Sequence, residues 1–333
     1  MVSACALFLA SVPAFASLVR GDDGFDYSSL SLREVGARNT MDWRMWFEKD
    51  GQPISPWHDI PLYPFAGNES IINYYIEIPR WSDGKIETKR NEPLNPIFHD
   101  DTDGQPRFVA SVWPHKSYPF HYGSIPQTWE DSTFELPFTG YPGDNDPMDV
   151  FDVTSIGEGY VGEVRQAKVL GGLAMIDDES TDWKVIVVDI RDPLAAVVDT
   201  VADLEMYRPS LAQSFYDWFI YYKVIRGKGL NHIVGNDFQN ATFMSHHIAE
   251  SHGYWRNLVR GETKVNKIRI NQTSNPTWCK SYIPSQEAAA AFDIPAESNV
   301  LPPAERPAKY DRFYYLDTDF ATIDVPGEVI DIE

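Results

Sequence analysis

The stretch Gly143 to Val150, GDNDPMDV, places Asp144, Asp146 and Asp149 within six residues. Each could be a turn former, because aspartate hydrogen-bonds its own backbone. Three together are harder to explain. In an extended chain Asp144 and Asp146 share a face, and Asp149 joins them only if the chain bends at Pro147. Gathered carboxylates repel one another unless a cation sits between them. An all-oxygen donor set suits magnesium, manganese or calcium. A calcium EF-hand is excluded by position, since its sixth residue would be Asp149 instead of glycine and its twelfth Ser155 instead of glutamate.

Two further stretches extend the pattern. DDESTDWK adds Asp177, Asp182 and Lys184, with Asp182 and Lys184 on one side of the strand that follows. EIPRWSDGKIETK adds Glu77, Lys85 and Glu87, and Lys85 and Glu87 again alternate onto one side. Solvated strand faces are the plain reading of such charges. Cations beside clustered carboxylates point instead to a polyanionic substrate that arrives with metal ions.

The elements that must position these residues are mostly strands before position 190. DWRMWFEKDGQPI reads as two strands around a Lys-Asp-Gly turn, and IINYYIEIPR as a strand ending at proline. VFDVTSI, GYVGEVRQAKVLGGLAMI and WKVIVVDI are strand-like and separated by glycines or by the acidic turn. Such close spacing favours a small closed barrel over an open doubly wound sheet. Helical periodicity then takes over. Leu204, Tyr207, Leu211, Phe215, Trp218, Phe219 and Tyr222 recur at threes and fours, with Pro209 either kinking the helix or marking its start. A second helix, 241–260, carries Met244, Ile248, Trp255, Leu258 and Val259, with Gly261 as its stop. His246, His247 and His252 lie on it, but Ser251 stands four residues beyond His247, so the spacing does not favour zinc. GKG at 227–229 lacks the rest of a phosphate loop.

Composition narrows the function. The chain has 333 residues, 43% hydrophobic, with 49 acidic against 28 basic residues and a net charge of −21. Phosphate backbones need clustered cations, so no nucleic-acid partner is expected. MVSACALFLASVPAFAS has an apolar run before Ala14-x-Ala16, the pattern of a secretory leader over 1–16 cleaved before Ser17, although it lacks a basic n-region. The run is too short for a bilayer, so no membrane span is expected. Sequons at Asn68, Asn240 and Asn271 agree with secretion; a cytoplasmic location is the alternative. Cys5 would leave with the leader, and Cys279, without a partner, is expected to be buried or mildly reactive. Residues 17 to about 32 read as a loose lead-in, and those after 261 as an extension wrapped on one domain that spans 17–333.

At these residues the sequence resembles the soluble, magnesium-dependent inorganic pyrophosphatases of the longer, eukaryotic type. GDNDPMDV fits that family's Asp-x-Asp-Pro-x-Asp signature. REVGARNT, EKDGQPISPWHDIPLY, EIPRW, LNPI, RFV, PQTWED, STDWKVI and DPLA resemble its other fixed stretches, in order, from Arg33 to Gly261. The resemblance implies a mainly β fold with flanking helices, built on a five-stranded OB-like closed barrel over about 41–261 with a wrapping extension over 262–333. It implies magnesium-dependent hydrolysis of pyrophosphate to two orthophosphates, with several ions per site and manganese or another divalent ion as a possible substitute. The alternative is a non-catalytic acidic divalent-metal-binding protein on the same fold.

Residue by residue, the resemblance implies that Asp144, Asp149 and Asp182 ligate a first metal, with Asp149 also facing a second. Asp146 would be the general base for a water between them. Asp177 with Asp182 would hold a third ion and Glu87 a fourth. Lys85, Arg107, Lys184, Tyr222 and Lys223 would bind phosphate oxygens, and Glu77, Tyr118 and Tyr122 would support the site. Arg80-Trp81 matches a pair through which relatives form homodimers, but Lys116 and Phe313 stand where His and Trp are frequent. Glu179 and Ser180 replace a common Gly and Glu, while His121 and Ile125 replace Asn and an aromatic residue.

Overall fold

A computed structural model describes residues 24–323 apart from Asn266. The 1–16 leader lies outside the described residues. The lead-in is shorter than the sequence suggests: Tyr27 is buried, and β1 (Leu30–Ala37) already pairs antiparallel with β2 (Arg44–Lys49). Alternate β1 residues face β2 side chains, which commits this segment to the sheet despite its polar composition. The Asp50-Gly51 turn leads to β3 (Gln52–Ile54), and the short α1 (Pro56–Asp59) is capped by Ser55 accepting from the His58 N–H.

The barrel is built from β4 (Ile71–Ile78), whose residues are all buried, and from strands further along the chain. Between them come β5 (Ile86–Thr88) and β6 (Ile97–His99), which extend the first sheet, the small pair β7 (Asp101–Thr102) and β8 (Gln105–Pro106), and β9 (Ser111–Val112). Then β10 (His121–Ser124), β11 (Asp149–Asp152), β12 (Val164–Asp177) and β13 (Ser180–Asp189) follow. β4 pairs with β10, β10 with β11, β11 with β13, β13 with β12, and β12 again with β4. The ring of five strands is closed, as expected, and closure leaves none of them as a bare edge.

The helical region differs in one respect. Pro209 divides the expected stripe into α2 (Val201–Tyr207) and α3 (Leu211–Tyr221), with Ser210 left-handed between them. A proline cannot donate to a continuing helix, so the apolar face restarts at Leu211. Tyr207, assigned to the buried stripe, is consequently exposed, whereas Phe215, Trp218 and Phe219 are buried. Phe120 and Phe151 of the barrel end meet them, with Phe120–Phe215 and Phe151–Phe219 ring centroids each 5.1 Å apart. Burying each such side chain contributes roughly 1.5–3 kcal/mol. α4 (Ala241–Val259) matches its predicted span, and Gly261 follows it in the left-handed conformation.

After α4 the chain runs back over the first sheet. It includes α5 (Ser285–Ala291), and residues 299–301 pair in parallel with β1. Cys279 is exposed, so of the two expectations for it burial fails. His247 pairs with Glu250 and packs on Trp183, His252 bonds the Gln127 carbonyl, and His246 is exposed, so the three do not converge. No described helix is long and apolar enough to cross a membrane.

Candidate active site

The register of the β12–β13 hairpin decides which charges meet. Met175 opposes Asp182 and Asp177 opposes Ser180, so Asp177, Asp182 and Lys184 project on the same face. The turn is only Asp178-Glu179, both left-handed. Glutamate is strained there where glycine would not be. On the other edge of β13, Asp149 of β11 lies opposite Lys184 across a parallel pair.

The Gly143–Pro147 turn is pressed against the Glu130 backbone. A Cβ on Gly143 would stand 2.3 Å from the Glu130 carbonyl carbon, so only glycine allows this approach. Asn145 is left-handed, and its Oδ1 accepts from the Trp129 indole at 3.2 Å. The Asp146 N–H donates to Asp144 at 3.0 Å. The chain does bend, but at Asn145 and Asp146 rather than at Pro147, and the bend turns all three aspartates toward one space.

That space is a cavity of about 130 Å³ at the barrel mouth. It is lined by Asp144, Asp146, Asp149, Asp177, Asp182, Glu77 and Glu87, and by Lys85, Arg107, Lys184, Tyr122 and Tyr222. Lys223 and Tyr118 are not in its wall. Lys223 is buried behind it and pairs with Asp177. Tyr118 packs beneath, 5.0 Å from Trp218, which in turn stacks on Tyr222 at 4.6 Å. Through these rings the packing of α3 sets the orientation of Tyr222.

Each cation faces a carboxylate. Lys184 Nζ lies 2.5 Å from both Asp149 and Asp182, Lys85 pairs with Glu87, and Arg107 with Asp100 at 2.9 Å. The Tyr122 hydroxyl donates to Asp149. Two participants escape a motif-by-motif reading. Arg90, just beyond β5, reaches Asp146 at 2.5 Å. Glu130, inside the quoted PQTWED, brings a carboxylate oxygen within 4.8 Å of oxygens from Asp144 and Asp182. The tightest trio is thus Glu130, Asp144 and Asp182, with Asp149 turned toward Lys184. Nothing in local spacing marks Glu130; its placement depends on the Gly143 contact.

Electrostatics agree with a cation site. Burial, then repulsion from Asp146 and Asp182, holds the Asp144 carboxyl well above the usual range, and Glu130 is raised by burial and by Asp144. Asp182 is pushed up to about 7, mainly by burial and despite Lys184. Glu77 rises to about 8 through burial and the Asp149 charge. Asp146 rises to about 6 through partial desolvation among the other carboxylates, although its side chain stays 40% exposed, with Arg90 opposing the shift. Such groups resist ionising together, and a hard divalent ion removes the conflict. The oxygen donors present fit such an ion.

A closed barrel with clustered carboxylates and inward cations at its mouth defines a hydrolase-type site for polyanions, with oxygen donors suited to a divalent ion. The family profile described as inorganic pyrophosphatase matches residues 74–256. The inorganic pyrophosphatase of Kluyveromyces lactis is 41% identical over 291 residues, covering 86% of this chain and 98% of that protein. The Neurospora crassa inorganic pyrophosphatase is 39% identical over 290 residues, covering 87% and 98%. Among solved structures, the Schistosoma japonicum inorganic pyrophosphatase aligns with a TM-score of 0.78 at 33% identity, covering 85% of this chain and 99% of that one. A truncated Trypanosoma cruzi vacuolar soluble pyrophosphatase in complex with PPi aligns at 0.64 and 34%, covering 78% and 99%. The chain belongs to the soluble inorganic pyrophosphatase family and is an enzyme of the diphosphatase class.

Proposed function

We propose that the chain hydrolyses inorganic pyrophosphate to two orthophosphates, with magnesium as the working divalent ion. The observation that carries this reading is one cavity lined by Asp144, Asp146, Asp149 and Asp182 together with Lys85, Arg107 and Lys184, with the buried Glu130 reaching Asp144 and Asp182 from outside its wall. Asp144, Asp149 and Asp182, with Glu130, would hold the first ion, Asp149 would face the second, and Asp177 and Glu87 would serve the others. Bound ions supply substrate neutralisation and acidify the attacking water.

The chain's own groups do the rest. Asp146, at the cavity mouth, accepts the proton of the attacking water. Lys85, Arg107, Lys184 and Tyr222 clamp phosphate oxygens and stabilise the charge that builds on the leaving phosphate, while Lys223, behind the wall, holds Asp177 in place. Glu77, Tyr118 and Tyr122 keep the wall in place: Glu77 accepts from the Thr88 hydroxyl at 2.6 Å. Stripping metals with EDTA is expected to abolish phosphate release, and adding magnesium to restore it. Magnesium at 100 times its dissociation constant should also stabilise the fold by about 2.7 kcal/mol. Unchanged turnover and melting temperature in both conditions would sink the metal requirement.

We also propose a homodimer. Trp81 and Trp113 are each 57% exposed, and Phe313 and Tyr315 pack on Trp113. The Arg80 guanidinium lies over Trp81, 5.5 Å from its centroid. An exposed aromatic patch of this kind supports self-association. Trp81→Ala should shift the sedimentation mass from two chains toward one; a wild type that runs as a monomer at micromolar concentration would overturn the proposal.

Secretion is the remaining proposal. The 1–16 leader pattern supports it, and so do the sequons: Asn68 and Asn240 are exposed and Asn271 half-buried. Expressed with its leader in a eukaryotic host, the chain should appear in the medium beginning at Ser17 and lose mass on N-glycan removal. An intracellular chain that keeps residues 1–16 would refute this.

A further inference from the structure

The segment after Gly261 lies beyond the part of the chain that matches the family profile, yet it touches the loop that carries Arg90. The Arg269 N–H donates to the Arg90 carbonyl at 2.8 Å. Asn95 is fully buried beside both residues, and its Nδ2 donates to the Arg90 carbonyl at 3.3 Å and to the Arg269 carbonyl at 3.1 Å. Asn95 Oδ1 accepts from the Ser55 hydroxyl at 2.8 Å, so the amide is held at both ends.

The Arg269 segment is itself anchored. The Trp255 indole N–H can only donate, and it meets His58 Nδ1 at 2.9 Å. The proton of neutral His58 is therefore on Nε2, which donates to the Arg269 carbonyl at 3.1 Å. Burial holds the His58 imidazole down to about 4, so this tautomer persists at neutral pH. Asp59 Oδ1 accepts from the Thr273 and Ser274 N–H groups at 2.7 and 3.0 Å. Both anchors come from the four-residue α1, whose residues are all buried.

We propose that Asn95 and the Arg269 segment are positioning elements for catalysis: they fix the backbone of Arg90, and through its guanidinium the carboxylate of Asp146. This rests on the hydrolytic reading above, in which Asp146 is the base. The Arg90 carbonyl receives donors from Arg269 and Asn95, while the Arg90 side chain reaches Asp146 at 2.5 Å. A long, half-exposed arginine holds a carboxylate accurately only if its own backbone does not move. Misplacing a reacting group by about 1 Å can cost up to about 100-fold in rate.

The test is a double-mutant cycle in the full chain with saturating magnesium. Asn95→Asp keeps the size of the side chain and the acceptor for Ser55 but turns the donor toward Arg90 and Arg269 into an acceptor. It should lower kcat about tenfold and leave KM within about twofold, because substrate clamping is untouched. In an Arg90→Ala background the same change should cost less than about twofold, since the route to Asp146 is already cut. An undiminished tenfold loss in that background, or a loss confined to KM, would overturn the proposal. Should Asn95→Asp not fold, Asn95→Gly carries the cycle, as residue 95 has a left-handed φ of 46° that glycine adopts freely. A wild type that releases no phosphate would sink the hydrolytic reading itself and this inference with it, whereas an active enzyme indifferent to Asp146→Asn would leave hydrolysis standing and overturn the inference alone.

Discussion

Asp146→Asn is expected to lower kcat for pyrophosphate by about 10²–10⁴-fold while the protein stays folded. The carboxylate sits at the cavity mouth, its backbone fixed by the Gly143 turn and its side chain by Arg90. The amide has nearly the same shape but cannot take a proton from water. Because Asp146 is outside the tight trio of Glu130, Asp144 and Asp182, the cation site should survive. The measurement is steady-state phosphate release together with magnesium titration of the melting temperature. A variant that binds magnesium and is still fully active would remove Asp146 from the base role. A wild type that binds magnesium and is inactive would instead favour the non-catalytic metal-binding alternative.

Lys184→Met should have the second largest effect, on stability as well as on rate. Lys184 is 3% exposed and bridges Asp149 and Asp182 while also donating to the Tyr122 hydroxyl at 2.9 Å. Replacing it with an apolar side chain leaves two carboxylates facing each other in a desolvated place. Breaking such a buried pair costs about 3–5 kcal/mol. In EDTA the denaturation midpoint should fall accordingly, and saturating magnesium should recover much of the loss, because a bound cation takes over the neutralising charge. Losing a fixed cation from the phosphate clamp should also reduce turnover by about 10²-fold or more. Equal destabilisation with and without magnesium would show that Lys184 acts by packing alone.

These two residues differ in how readily the sequence exposes them. Asp146 lies inside a signature whose spacing is itself unusual. Lys184 is found by strand alternation with Asp182, which β13 follows. The α4 span and the Asp50-Gly51 hairpin are likewise readable, because a period of 3.6 and a turn residue pair are local properties. Arg90 and Glu130 are different. Each is an ordinary charged residue in its own segment, and each acquires its partner from a segment distant in the chain: Asp146 for Arg90, Asp144 and Asp182 for Glu130. The break at Pro209 shows the reverse limit. The apolar stripe runs through it, but a ring without an N–H decides where the helix starts, and Tyr207 is left outside.

By itself, then, the sequence determined the strand-rich barrel, the span of α4, the family and most of the carboxylates and cations that line the cavity, since period and motif spacing are written locally. Only the tertiary structure decided which of these charges meet. The hairpin register turns Asp177, Asp182 and Lys184 to one side, the Gly143 contact brings Glu130 to Asp144, and Asn95 with the Arg269 segment sets Arg90 against Asp146. Charge interactions fall off over a few ångströms, and distances that short between remote segments exist only after closure and packing have brought those segments together.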